Sequence, residues 1–117
     1  MNEGDIVLTP VPQADGRVKN RPALFLRELP PYNDLLVCGI STKLHQTVDN
    51  FDEVISNRDD DFSSSGLITD SVIRLGFLAV IPRKNIIGNI GTISRKRHIR
   101  LIKNLCAHLE KYSKNKC

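Results

Sequence analysis

The chain has 117 residues, of which 26% are charged and 40% hydrophobic, and it carries a formal net charge of +4. That length suits one domain over residues 1–117 with a modest core, and the composition excludes a mainly disordered chain. The surplus of 17 Lys and Arg over 13 Asp and Glu suits a polyanionic partner without requiring one. Trp is absent, so platforms for stacking nucleobases look sparse. Cys38, Cys106 and Cys117 lie far apart, which argues against a disulfide framework or a zinc site. The start, Met1-Asn2-Glu3-Gly4-Asp5, lacks the basic and apolar stretches of a signal peptide, and no apolar run reaches the length of a membrane span. A cytoplasmic, reduced protein with no membrane partner is expected.

In chain order, Ile6-Val7-Leu8-Thr9 reads as a first strand ended by Pro10 and Pro12. Residues 13–20 are polar, contain Asp15-Gly16 and carry Arg17 and Lys19, so a loop is expected there. Arg21-Pro22 then opens the apolar run Ala23-Leu24-Phe25-Leu26. Proline restricts its own φ and extends the residue before it, so Arg21 is expected where a loop enters a strand buried on both faces. After the breaker-rich segment 28–34, a third strand is expected over residues 35–42, turning polar at Ser41-Thr42. Residues 51–55 suggest a short strand, and 56–62 a single helical turn with acids at its positive end. The Asp59-Asp60-Asp61 run does not alternate ligands as a calcium loop does, so no metal is expected there.

A turn at Ser63-Ser64-Ser65-Gly66 precedes a strand over 69–75, with Ile73 and Leu75 on one face and Val72 and Arg74 on the other. The apolar run 77–81 ends at Pro82, and a further strand or turn is expected at 86–91. Ser94 caps a terminal helix whose stripe is Leu101, Leu105 and Leu109, with Ile102 and Cys106 alongside. Arg100, Lys103, Asn104 and Lys111 take the other side. Cys38 and Cys106 are both expected as small core residues, and the tail from Lys114 is expected to fray. Several short strands, no repeats and one terminal helix suggest a small antiparallel barrel closed by that helix.

Chemistry could reside in Arg21, in the Ser41-Thr42 hydroxyls, or in Arg74, a cation inside a strand pattern. Each also has a plain explanation: a solvated strand-end cation, strand-end hydrogen bonding, or an outward side chain on a half-exposed sheet. No nucleophile-and-base motif surrounds Ser41. His45, His98 and His108 are isolated, and the last two are too far apart for a helical metal pair. Gly88-Asn89-Ile90-Gly91 does not fit a nucleotide-binding glycine loop. Cations and hydroxyls at strand ends remain, a set that can hold a phosphodiester without a metal or cofactor.

Taken as an ordered set, Gly4-Asp5-Ile6-Val7, Arg21-Pro22-Ala23-Leu24 and Val37-Cys38-Gly39-Ile40-Ser41-Thr42 resemble the toxin family called MazF, PemK or Kid. Asp70-Ser71-Val72-Ile73-Arg74, Ile90-Gly91-Thr92-Ile93-Ser94 and the terminal helix continue the resemblance over nearly the whole chain. It implies a mainly β fold, an SH3-like small β-barrel of the CcdB/MazF type with a C-terminal helix, acting as a homodimer. It implies a metal-independent endoribonuclease of a type II toxin-antitoxin system that cuts single-stranded RNA, usually messenger RNA. In that family the 2′-hydroxyl attacks the adjacent phosphorus to leave a 2′,3′-cyclic phosphate, and a cognate antitoxin holds the enzyme inactive.

By the same resemblance, Arg21 would stabilise the charged phosphorane, Ser41 would bond the scissile phosphate, and Arg74 would act as a catalytic acid or phosphate clamp. Arg17, Lys19 and Thr42 are expected to contact the RNA. The chain departs from the family at the acid two residues after its arginine, here Gly76, and has no histidine before Arg21. Asp15 is a carboxylate that the loop over residues 13–20 could bring to the site. The alternatives are a non-catalytic or CcdB-like binding protein on the same barrel, and a peptide-binding SH3-like module. The family suggests dimerisation, and a strand such as 35–40, apolar on both faces, adds to that expectation.

Overall fold

The computed structural model describes residues 1–12 and 14–111. Its elements are β1 (Asp5–Pro12), β2 (Val18–Leu29), β3 (Asp34–Ser41), β4 (Glu53–Ile55), α1 (Phe62–Ser65), β5 (Ser71–Ile81), β6 (Gly88–Thr92) and α2 (Arg95–Glu110). Short 3-10 turns at Leu44–Gln46 and Arg83–Asn85 interrupt the connections. The strands form one curled sheet in the order β4-β5-β3-β2-β1-β6, antiparallel throughout. This is the expected mainly β barrel with a C-terminal helix. No helix among the described residues is long and apolar enough to cross a membrane.

The sheet buries side chains on both faces, which is why β2 reads as an unbroken apolar run. Leu24 and Leu26 join Ile6, Cys38, Ile73 and Leu75 under Leu101 and Leu105 of α2. Ala23 and Phe25 point the other way and pack with Val7, Leu35 and Val37. Leu35 and Val37 are thus buried within one protomer, so the apolar surplus of that strand does not argue for a dimer. Buried Cys38 is chemically quiet. Burial, with the Asp52 charge adding and a bond to the Leu24 backbone opposing, pushes its thiol up to about 12.

The edge strands β4 and β6 do not pair, and the gap between them is bridged by α1 and by one arginine. Gly66 ends α1 with φ +76, and a Cβ there would collide with the Ile90 carbonyl of β6. Ser94 caps α2 by accepting from the Arg97 N–H at 3.1 Å. The buried Arg97 side chain then donates to Asp61 (2.9 and 3.1 Å), Asp59 (2.9 Å), Glu53 (2.9 Å) and the Val54 carbonyl (3.2 Å). Arg100 adds two bonds to Glu53 at 2.9 and 3.0 Å. Burial pushes the Asp61 carboxyl up, but bonds from Arg97 and the Ser94 N–H, with the Arg97 charge, outweigh it and hold it below the usual carboxylate range.

Several expectations are corrected. Residues 56–62 are not the helical turn; Asp59 instead accepts from the Ser56 N–H in a tight turn, and Ser63-Ser64-Ser65 belong to α1. Of the acid run, Asp59 and Asp61 serve as partners of Arg97. The first strand runs through Pro12 rather than ending at Thr9, and β2 begins at Val18, inside the expected loop. Arg21 therefore lies within a strand, paired with Thr9. Pro22 sits beyond the last β2–β3 pair, Ala23 with Gly39, where a strand tolerates a residue without an N–H. Residues 69–75 and 77–81 are one strand, Ser71–Ile81. Cys106 and Leu109 are exposed, because the stripe of α2 overruns the sheet after Leu105. Asn104 turns inward and donates to the Phe51 carbonyl at 3.1 Å. Gln13, Tyr112 and the tail with Cys117 lie outside the described residues.

Candidate functional site

On the face away from α2, strand alternation and register gather a single set of polar side chains. Cross-strand neighbours in an antiparallel pair project to the same face. Thr9 on β1 stands opposite Arg21 on β2, while Ala23 stands opposite Gly39 on β3 and Gly39 opposite Arg74 on β5. Ser41 lies two residues beyond Gly39 and so shares its face. With no side chain at Gly39, the surface between Arg21 and Arg74 is a depression.

That depression is a groove of about 420 Å³ lined by Arg21, Ser41, Thr42 and Arg74, together with Lys43 and Gln46. All three expected catalytic residues, and Thr42, meet there. The rest of its lining is largely apolar, including Ala23, Val37, Ala79 and Ile81. Arg17 and Lys19 do not line it. Arg17 is exposed near the β1–β2 turn, 3.7 Å from Asp15, and Lys19 pairs with Val11 in the ladder. Asp15 accepts from the Arg17 N–H at 3.0 Å in that turn and does not line the groove.

Local bonding defines what each group can do. Ser41 Oγ accepts from the Lys43 N–H at 3.1 Å, which leaves its own O–H available to donate. Arg74 is half-buried and makes no ion pair among the described residues. Thr9 is only 4% exposed, and its Oγ1 has no hydrogen-bond partner among the described residues. Leaving such a group unsatisfied costs about 1–3 kcal/mol. No carboxylate or histidine is among the residues lining the groove. No group of three His, Cys, Asp or Glu among the described residues is placed to hold a metal ion.

One wall is built by a bulge. The β3–β5 register jumps between Cys38, opposite Leu78, and Gly39, opposite Arg74, so Leu75, Gly76 and Phe77 have no partners on β3. Buried Asp52 supports the displaced backbone, accepting from the Leu75 N–H at 2.9 Å and from the Val48 N–H at 2.9 Å. Phe77 emerges half-exposed beside the groove, and a Cβ on Gly39 would lie 3.3 Å from its ring. The expected base position, Gly76, is an exposed residue of this bulge.

A model of the PemK-like, MazF-like toxins of type II toxin-antitoxin systems matches residues 2–109. The chain belongs to that family. Among solved structures, the Mycobacterium tuberculosis toxin MazF-mt6 superposes with a TM-score of 0.65 at 20% identity, covering 93% of this chain and 99% of the other. At that identity the likeness speaks for the fold. No curated protein matches the sequence. Within this PemK/MazF frame, reading the sequence found Arg21, Arg74 and the Ser41-Thr42 hydroxyls but missed Thr9, Lys43, Gln46 and Phe77. Thr9 had a signal, a hydroxyl closing the apolar stretch Ile6-Val7-Leu8, of the same kind that singled out Ser41. Phe77 had none, since a register jump is a property of paired strands.

Proposed function

We propose that this toxin is a metal-independent endoribonuclease that cuts single-stranded RNA, messenger RNA in the cell, in the groove described above. The observation that carries the reading is that Arg21, Ser41 and Arg74, from three strands, line one depression whose lining contains no carboxylate. Two guanidiniums on a phosphodiester stabilise the additional charge of a phosphorane, and the Ser41 O–H donates to a non-bridging oxygen. The O2′–P bond forms and the P–O5′ bond breaks, giving a 2′,3′-cyclic phosphate and a 5′-hydroxyl. Water takes the 2′-hydroxyl proton, and the departing 5′-oxygen receives one from Arg74 or water. Thr42 and Lys43 extend the contact along the backbone, and Arg17 and Lys19 offer charge outside the groove.

A cognate antitoxin with an acidic segment suits the same cationic groove, and the cytoplasm is the compartment where both RNA and antitoxin would be met. A homodimer is part of the proposal. The edge of β5 beyond β4 supports it, since β4 pairs only with Ser71–Ile73 and leaves Leu78 and Val80 exposed. One observation favours a second reading: with no carboxylate or histidine in the lining, the groove could bind RNA without cutting it. Incubating the purified protein with a long RNA in EDTA separates the two. Cleavage with cyclic-phosphate ends, lost in Arg21→Ala, is the expected result. Intact RNA with folded wild-type protein contradicts the enzyme and leaves the binding protein.

A further inference from the structure

We propose that Thr9 is a specificity-determining residue, whose buried hydroxyl hydrogen-bonds the edge of one unpaired nucleobase seated in the apolar recess of the groove. The inference rests on the RNA-directed reading above and names a base contact within it.

Buried hydroxyls are nearly always bonded, so one without a partner calls for an explanation. Thr9 is 4% exposed, lines the groove, and has an Oγ1 with no partner among the described residues. Its register position opposite Arg21 sets it beside the phosphate-binding cations rather than in the core beneath α2. The surrounding lining decides which part of a nucleotide it meets. Ala23, Val37, Ala79 and Ile81 offer no countercharge, and a phosphate entering among them would lose water without compensation. A nucleobase is flat and apolar on its faces and polar at its edge. It matches a lining that combines aliphatic side chains with hydroxyls. Phe77, half-exposed beside the groove, offers a ring face against which that base or its neighbour can stack. With the phosphate on Arg21, Arg74 and Ser41, the base of an adjoining nucleotide is the group that can reach Thr9.

A site built to hydrogen-bond its ligand rejects an analogue that leaves the site group unpaired. Thr9 would therefore favour bases that present a matching donor or acceptor to the recess, and a valine of the same shape would not.

The test uses the full chain as wild type, Thr9→Val and Thr9→Ser. Long RNA is digested and the new 5′-hydroxyl ends are mapped by sequencing. In parallel, binding is measured to a panel of 2′-O-methyl RNA pentamers that differ at one position and cannot be cut by 2′-hydroxyl attack. Thr9→Val should flatten the preference at one nucleotide position by about tenfold, the scale of one hydrogen bond, and Thr9→Ser should restore it. Thermal unfolding of Thr9→Val at or above the wild-type midpoint would show that the fold is intact. If the wild type cuts RNA and Thr9→Val keeps the same site preference, this inference is overturned while the enzyme stands. If the wild type binds pentamers selectively without cutting RNA, the enzyme is overturned, and a flattened preference in Thr9→Val still supports the base contact. A wild type that neither cuts RNA nor binds any pentamer overturns both.

Discussion

Beneath α2, the guanidinium of Arg97 meets three carboxylates and a carbonyl, all at 3.2 Å or less. Across the same sheet, Arg21 and Arg74 line a groove with hydroxyls and aliphatic side chains and no carboxylate. Both regions draw on cations embedded in strand and helix patterns, but the first bonds one guanidinium to three carboxylates, whereas the lining of the second contains none. A cation whose countercharges are built into the fold spends its field on holding elements together. A lining of cations without acids keeps a positive potential for an anionic ligand. Under the proposed function, that difference separates the arginine that holds elements together from those proposed to bind RNA, which burial does not do, since Arg74 is itself half-buried.

The comparison is broken most severely at Arg97. Arg97→Ala leaves Asp61 and Asp59 without their cation while Glu53 keeps only Arg100, and a loss of about 3–5 kcal/mol is expected in urea unfolding. Arg74→Ala should do the reverse. Cleavage is expected to fall about 10²–10³-fold, while stability stays within about 0.5 kcal/mol of wild type, as read by RNA digestion and unfolding on one preparation.

Asp52→Ala lies between the two. It strips the Leu75 and Val48 N–H groups of their acceptor, and a cost of about 1–3 kcal/mol is expected. Because Phe77 stands on that bulge, cleavage should weaken as well, measurable on the protein still folded.

The smallest expected effect is acid sensitivity. Asp61 is held below its ordinary value in the folded protein, so its contribution is fully present above the unfolded value of about 3.9. It is lost as pH falls through the lower folded value. Urea midpoints should drop on acidification in the wild type, and less so in Asp61→Asn.

Reading the chain without its structure reached unequal depths in the two regions. The run 23–26 was legible because burial on both faces removes polar residues from a strand. Arg21, Ser41 and Arg74 were legible because a cation or hydroxyl interrupts an apolar pattern, and the family resemblance supplied their company. The Arg97 cluster was not, because its carboxylate partners lie 36 to 44 residues away and acids and arginines are common on any surface. Cys106 and Leu109 were misread because helical periodicity continues past the point where the sheet beneath it ends. Thr9 was passed over because alternation assigns a residue to a face and says nothing of which hydroxyl lacks a partner there.

The claim that the two sets of arginines do different work is tested most directly by reading unfolding midpoint and RNA cleavage together in Arg21→Ala, Arg74→Ala and Arg97→Lys. The account predicts wild-type midpoints with lost cleavage for the first two. For Arg97→Lys it predicts a lowered midpoint, because lysine cannot span the carboxylates as a planar fork does, with cleavage retained below that midpoint. Arg21→Ala and Arg74→Ala proteins that cut RNA at the wild-type rate would contradict it.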